Sequence, residues 1–169
     1  GLTTIAGGKL TTYRVMAKDA VDFALGERAT GMPCVTHTTP LLGAIGLAAT
    51  RNRARIWSQQ YGWDSGMREH LLHRYGSMLQ DLVDAIQQQP DLARPLKSAP
   101  AYLRAEVAYA ATHEGALHLD DIMMHRTRLN YEVADRGLTA LEEIADIVAP
   151  ILGWDKQRRQ SEIEEYQRR

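Results

Sequence analysis

The chain has 169 residues, 44% hydrophobic and 24% charged, with 20 basic against 21 acidic side chains and a formal charge of −1. That length suffices for an ordinary hydrophobic core, the charge balance argues against a dedicated nucleic-acid binder, and one cysteine cannot build an internal disulfide framework. The most apolar run, Leu41 to Ala49, is too short to span a bilayer, and no basic front followed by an apolar stretch marks a signal peptide.

In chain order, Leu2 to Ala6 is the one stretch that reads as a strand. From about Thr12 to Leu25, Tyr13, Met16, Ala17, Ala20, Val21 and Ala24 fall at helical spacing. Gly26, Gly31, Pro33 and Pro40 then break the periodicity, so Glu27 to Gly46 reads as irregular. Everything beyond reads as helix. Ala48 to Tyr61 carries Ile56, Trp57 and Tyr61 on its better face, and Met67 to Tyr75 presents Leu71, Leu72 and Tyr75. Ser77-x-x-Gln80 has the pattern of a capping box, followed by the one-sided stripe Met78, Leu79, Leu82, Val83 and Ile86.

Pro90, Pro95 and Pro100 punctuate the next connection. Ala101 to Glu114 repeats Leu103, Val107, Ala110 and Ala111 at helical intervals, with Gly115 as its stop, and a short helical piece spans Leu119 to Met124. Thr139-x-x-Glu142 suggests a second capping box, ahead of the stripe Leu138, Leu141, Ile144, Ala145, Val148, Ile151 and Leu152. Pro150 should disturb the last turn of that helix and Gly153 should end it. The charged tail from Lys156 to Arg169 either continues as a solvated helix or frays.

The chemistry concentrates in Gly7-Gly8-Lys9-Leu10-Thr11-Thr12. Two glycines permit a sharp turn close to a ligand, lysine supplies a cation, and the threonines can cap the helix that follows. Free N–H groups and the positive end of a helix dipole would collect there, which seats an anion. The nucleotide P-loop pattern fails twice, because Thr3 stands where its first glycine belongs and Leu10 follows the lysine. The dinucleotide fingerprint Gly-x-Gly-x-x-Gly is absent. Read alone, these residues also fit an ordinary glycine turn capped by threonine.

The longer string Gly7-Gly8-Lys9-Leu10-Thr11-Thr12-Tyr13-Arg14, with Met16-Ala17 and Val21-Asp22, resembles the end of the flavin domain in FAD-dependent glycerol-3-phosphate dehydrogenases. The resemblance resumes at Pro33-Cys34, Pro40-Leu41, Glu106-Val107-Ala108-Tyr109-Ala110, His113-Glu114, Leu119-Asp120-Asp121-Ile122, Arg126-Thr127-Arg128-Leu129 and Leu152-Gly153-Trp154-Asp155. It covers nearly the whole chain in order, loosely between Trp57 and Pro100. It implies a mainly α fold: a helical-bundle C-terminal domain preceded by the final strand, loop and helix of a truncated flavin-binding domain. Residues 1–28 would be the tail of that FAD-binding domain, 29–46 a linker and 47–169 the helical domain. Starting at Gly1, close to a ligand loop, the chain reads as a piece of a longer protein.

The same resemblance implies that Gly8, Lys9, Leu10, Thr11 and Thr12 contact FAD and that Lys9 also meets the substrate phosphate. The parent would oxidise sn-glycerol 3-phosphate to dihydroxyacetone phosphate and pass electrons to a quinone, peripheral at the cytoplasmic face of the cell membrane. Its partners would be the missing flavin domain and, as one arrangement open to it, a second copy of itself. No catalytic residue is expected in this segment, which alone should be inactive. Two other readings remain: a helical docking module with Trp57, Trp63 and Trp154 as candidate anchors, and a relative that uses oxygen as acceptor.

Arg126 and Arg128 flank Thr127 and can grip a phosphate bidentately; the resemblance implies instead a structural or interdomain role, with the substrate arginines upstream. No metal site is expected. Cys34 and His37 make half a ligand set, His70 and His73 lack an acidic partner, and His113-Glu114-x-x-x-His118 is one residue too long for a zincin helix. Asp120-Asp121 reads as a solvated helix start. Cys34 has no identifiable base and reads as an inert thiol.

Overall fold

Two compact units divide the chain, Gly1–Ile45 and Gly46–Arg169. The computed structural model describes residues 1–168. Arg169, the last residue of the predicted tail, lies outside them.

In the first unit the segment 1–9 is neither helix nor strand. The strand expected at Leu2 to Ala6 is therefore not formed. A strand needs a neighbour to take its N–H and C=O groups, and no other strand exists among the described residues to provide one. A 3-10 turn over Leu10–Thr12 leads into α1 (Tyr13–Leu25), and a second 3-10 turn spans Gly26–Gly31. No residue of these three elements is buried. Leu10, Phe23 and Leu42 are each more than three-quarters exposed, at 88%, 78% and 87%.

The second unit contains seven α-helices among its described residues: α2 (Leu47–Tyr61), α3 (Ser65–Tyr75), α4 (Leu79–Gln88), α5 (Arg104–Thr112), α6 (Leu129–Glu132), α7 (Leu141–Leu152) and α8 (Lys156–Gln167). Helix α5 packs against α7 and α4, α2 against α3, and α8 against α7. The predicted stripes meet in the core between them, with Leu71, Leu79, Leu82, Ile86, Leu103, Leu141 and Ile144 fully buried. The tail neither frays nor floats, because Ile163 and Tyr166 of α8 are buried in the same core.

Three local expectations are corrected. Neither capping box closes: α4 and α7 follow 3-10 turns, Gly76–Met78 and Leu138–Ala140, which move the helix starts two residues past Ser77 and Thr139. The Thr139 hydroxyl donates instead to Asp135, 2.5 Å away. On α2 the buried face is Thr50, Ala54, Trp57 and Ser58, which turns Ile56 out to water at 63% exposure. The caps that do form are aspartates: Asp64 accepts from Met67 N at 2.7 Å, and Asp155 from Arg158 N at 2.7 Å.

The short helix predicted over Leu119 to Met124 is a π-helix over Asp121–Arg126. Thr127 N reaches Ile122 O at 2.8 Å, five residues back. Pro150 sits in the last turn of α7, and Gly153 ends that helix in the left-handed region at φ 68°.

Truncating Ile144, which is fully buried, should cost about 2–5 kcal/mol of unfolding free energy. Phe23→Ala, at an exposed position of the first unit, should change it by less than ~0.5 kcal/mol. Urea unfolding followed by circular dichroism measures both.

Candidate functional site

The glycine–lysine loop takes the shape its residues require. Gly7 and Gly8 both lie in the left-handed region, at φ 87° and 86°. A Cβ at Gly8 would also fall 2.1 Å from Met16 Sδ, so no other residue fits without displacing that side chain. Lys9 is exposed, with extended backbone. The Thr12 hydroxyl donates to Lys9 O at 2.9 Å and accepts from Lys9 N at 3.3 Å, so it closes the loop rather than capping α1.

The first turn bond runs from Thr12 N to Lys9 O at 2.9 Å. Leu10 and Thr11 therefore stand at the start of the helical run, where N–H groups have no partner within it. No acidic residue occupies the first turn of either the 3-10 segment or α1. The positive end of the α1 dipole is thus left uncompensated beside the Lys9 cation, as an anion site requires.

Behind the loop, α1 and the segment from Met32 to Leu42 enclose a groove of about 540 Å³. Its wall is mostly apolar, with Ala17, Val21 and Leu41, and it also carries Arg14, Lys18 and Cys34. The Thr36 hydroxyl lies 3.0 Å from Cys34 Sγ. Hydrogen bonding from Thr36 holds the thiol below its ordinary range, and the nearby Arg14 and Lys18 charges act in the same direction. The inert thiol expected at this position is thus biased toward its reactive form by a neighbour two residues along.

Within the helical unit, Arg126, Thr127 and Arg128 do not converge on a common anion. Arg126 Nε donates to Glu114 O at 2.8 Å. The buried Thr127 hydroxyl donates to Ile122 O at 2.7 Å, and Arg74 caps the end of the π-helix through Arg126 O and Thr127 O. Arg128 holds a left-handed backbone, φ 65°, and lies exposed beside Glu132 and the Tyr131 ring.

Two buried carboxylates escaped sequence reasoning. Glu106 is fully buried and accepts from Leu103 N at 2.8 Å and Tyr75 Oη at 3.1 Å, with His70 Nε2 at 2.8 Å. Glu162 is 3% exposed; it accepts from Leu119 N at 3.0 Å and faces His118 and Arg158. The available signals were His70 and Arg74 four apart on α3 and Arg158 four residues before Glu162 on α8, spacings too common to single the carboxylates out. Asp121 accepts from Leu117 N and His118 N, so it closes a turn. Trp57 and Trp63 are buried and Trp154 is partly buried, which removes them as exposed anchors. No group of three metal-ligating side chains converges among the described residues.

The family described as the C-terminal domain of alpha-glycerophosphate oxidase matches residues 34–159. The chain is 43% identical to the glycerol-3-phosphate dehydrogenase of Mycobacterium leprae, over all of this chain and 29% of that protein. It is 44% identical to glycerol-3-phosphate dehydrogenase 2 of Mycobacterium tuberculosis, with the same coverage. A mitochondrial glycerol-3-phosphate dehydrogenase of Arabidopsis thaliana is 36% identical over 97% of this chain and 28% of its own length. The chain thus spans less than a third of these relatives. No solved structure matches it. Among the described residues no helix is long and apolar enough to cross a membrane.

Alkylation of Cys34 should rise with pH around a midpoint below the ~8.5 of a free thiol. Thr36→Val should move that midpoint upward. Iodoacetamide labelling followed by mass spectrometry across a pH series reads both.

Proposed function

The chain belongs to the family of the C-terminal domain of alpha-glycerophosphate oxidase, and from that premise we propose that it is the C-terminal part of an FAD-dependent glycerol-3-phosphate dehydrogenase. The parent oxidises sn-glycerol 3-phosphate to dihydroxyacetone phosphate and passes two electrons to a quinone, at the inner face of the cell membrane. Residues 1–28 are the tail of its FAD-binding domain, 29–46 a linker and 47–169 the helical domain. The segment alone is not catalytic.

The observation that carries this reading is the uncompensated N-terminus of α1 behind Gly8 and Lys9, in a chain whose whole length matches dehydrogenases of this name. FAD held by Gly8 to Thr12 would supply a hydride acceptor for the substrate's secondary alcohol, and its surroundings would need to favour negative charge on the reduced flavin. The residues here suit that need. Gly8 lets the backbone approach closely, the N–H groups of Leu10 and Thr11 offer donors to an anionic edge, and Thr12 fixes the loop that aims them. Lys9, exposed and beside the same helix end, supplies a cation to the flavin or to the substrate phosphate.

A second reading concerns the acceptor alone. The matching family is described by an oxidase, which favours oxygen in place of quinone. Peroxide release in air, measured against dye or quinone reduction, separates the two.

The complete polypeptide containing this segment should purify with a flavin spectrum that bleaches on adding glycerol 3-phosphate without oxygen. Lys9→Ala should slow the bleaching about tenfold, equivalent to roughly 1.4 kcal/mol. Bound flavin that does not bleach would refute the substrate, and a colourless folded protein would refute the flavoenzyme. An unchanged rate in Lys9→Ala would remove that lysine from the pocket.

A further inference from the structure

Helical side chains lean toward the N-terminus of their helix, so a residue in the second turn covers the backbone that enters the first. In the helical run that begins at Leu10 and continues as α1, that residue is Met16. It stands four places after Thr12 and is partly buried, although α1 buries no residue completely. Leu10 and Tyr13, the other large side chains of this end, are 88% and 55% exposed.

Met16 ends against Gly8. A Cβ built on that glycine would overlap Met16 Sδ and would lie 2.7 Å from its Cε and 3.4 Å from its Cγ. The thioether thus occupies the space that a side chain at position 8 would take, and an unbranched, adaptable chain suits such a gap. The contact matters because little else holds this turn. Gly7 and Gly8 both have left-handed backbone, and among the described residues neither makes a hydrogen bond. The first tie after them joins Thr12 to Lys9, through the Thr12 hydroxyl and N–H. Thr12 therefore fixes the exit of the loop onto the helix, and Met16 supports its glycine turn. Glycine has the most backbone freedom to lose, so support at that point governs where the following N–H groups lie.

We propose that Met16 is a positioning residue for the anion site at the start of α1: by filling the space beside Gly8, it holds the backbone donors of the loop toward the reduced flavin. This rests on the reading of the chain as part of an FAD-dependent enzyme. Donors stabilise a charge most when they are fixed before it arrives. The support should therefore favour the reduced, negatively charged cofactor over the oxidised one. Met16 acts through Gly8, not by touching the flavin.

Met16→Ala in the complete polypeptide tests this, read by the flavin midpoint potential and by FAD dissociation. The variant should lose about tenfold more affinity for reduced than for oxidised flavin, which lowers the two-electron potential by about 30 mV. Met16→Leu, which keeps a carbon at the position of Sδ, should restore the wild-type potential. Met16→Val, which stops one atom short of Sδ, supplies the same comparison if the alanine variant loses its flavin. An unchanged potential would overturn the proposal even if FAD bound more weakly, because a purely structural loss weakens both redox forms alike. A potential as low in Met16→Leu as in Met16→Ala would overturn it too. Both results leave the flavoenzyme reading intact, whereas a wild-type polypeptide that binds no flavin would refute that reading and this proposal together.

Discussion

A carboxylate taken out of water costs several kcal/mol unless its oxygens are met by donors, and the helical unit is arranged around meeting those of Glu106. Leu103 N, just ahead of α5, satisfies one oxygen, while His70 and Tyr75 from α3 meet the other. The contact joins two helices that are distant in the chain and fixes how α3 lies against the start of α5. Around it the aromatic groups order themselves in turn: His70 stands edge-on to Tyr102, and Tyr75 edge-on to Tyr109. Arg74, one residue before Tyr75, is thereby placed to cap the π-helix that ends at Arg126. Losing one donor would leave a buried charge short of a partner, so the network is held as a set.

Glu162 does for the C-terminal helix what Glu106 does for α5. Its contacts with Leu119 N and the His118 ring fasten α8 to the turn before the π-helix, while Arg158, one turn earlier on α8, pairs with the same carboxylate. The helical unit thus satisfies its buried charges from its own residues. The first unit contrasts with it: α1 and its flanking turns bury nothing, and large apolar side chains such as Leu10 and Phe23 face water.

Helix existence was legible because the apolar stripes are strong. Leu79, Leu82, Val83 and Ile86 on α4, and Leu141, Ile144, Ala145 and Val148 on α7, point inward as their spacing requires. Helix starts were less legible. Ser77 and Thr139 have capping-box spacing, but Gly76 and Gly137 turn the chain so that a 3-10 turn comes first, and Asp135 claims the Thr139 hydroxyl. Ile56 misled because hydrophobicity outweighs small size on paper, whereas the close approach of α2 to its neighbours selects Ala54 and Ser58. The tail was misjudged because Ile163 and Tyr166 are few, although Glu162, directly before Ile163, provides a polar anchor. At the loop, the paired glycines announced the left-handed backbone directly, whereas the way Thr12 ties back to Lys9 depends on a turn that no spacing specifies.

The central claim is that the helical unit holds its own core and satisfies its buried carboxylates from its own residues, whereas the first unit buries no side chain of its own. Limited trypsin digestion of the 169-residue chain, with fragment masses read over time, tests it most directly. The account predicts early cuts after Lys9, Arg14, Lys18 or Arg28 and a persistent fragment that retains everything from Gly46 onward. Early cleavage inside α3, α5 or α7, or equal resistance in both units, would contradict it.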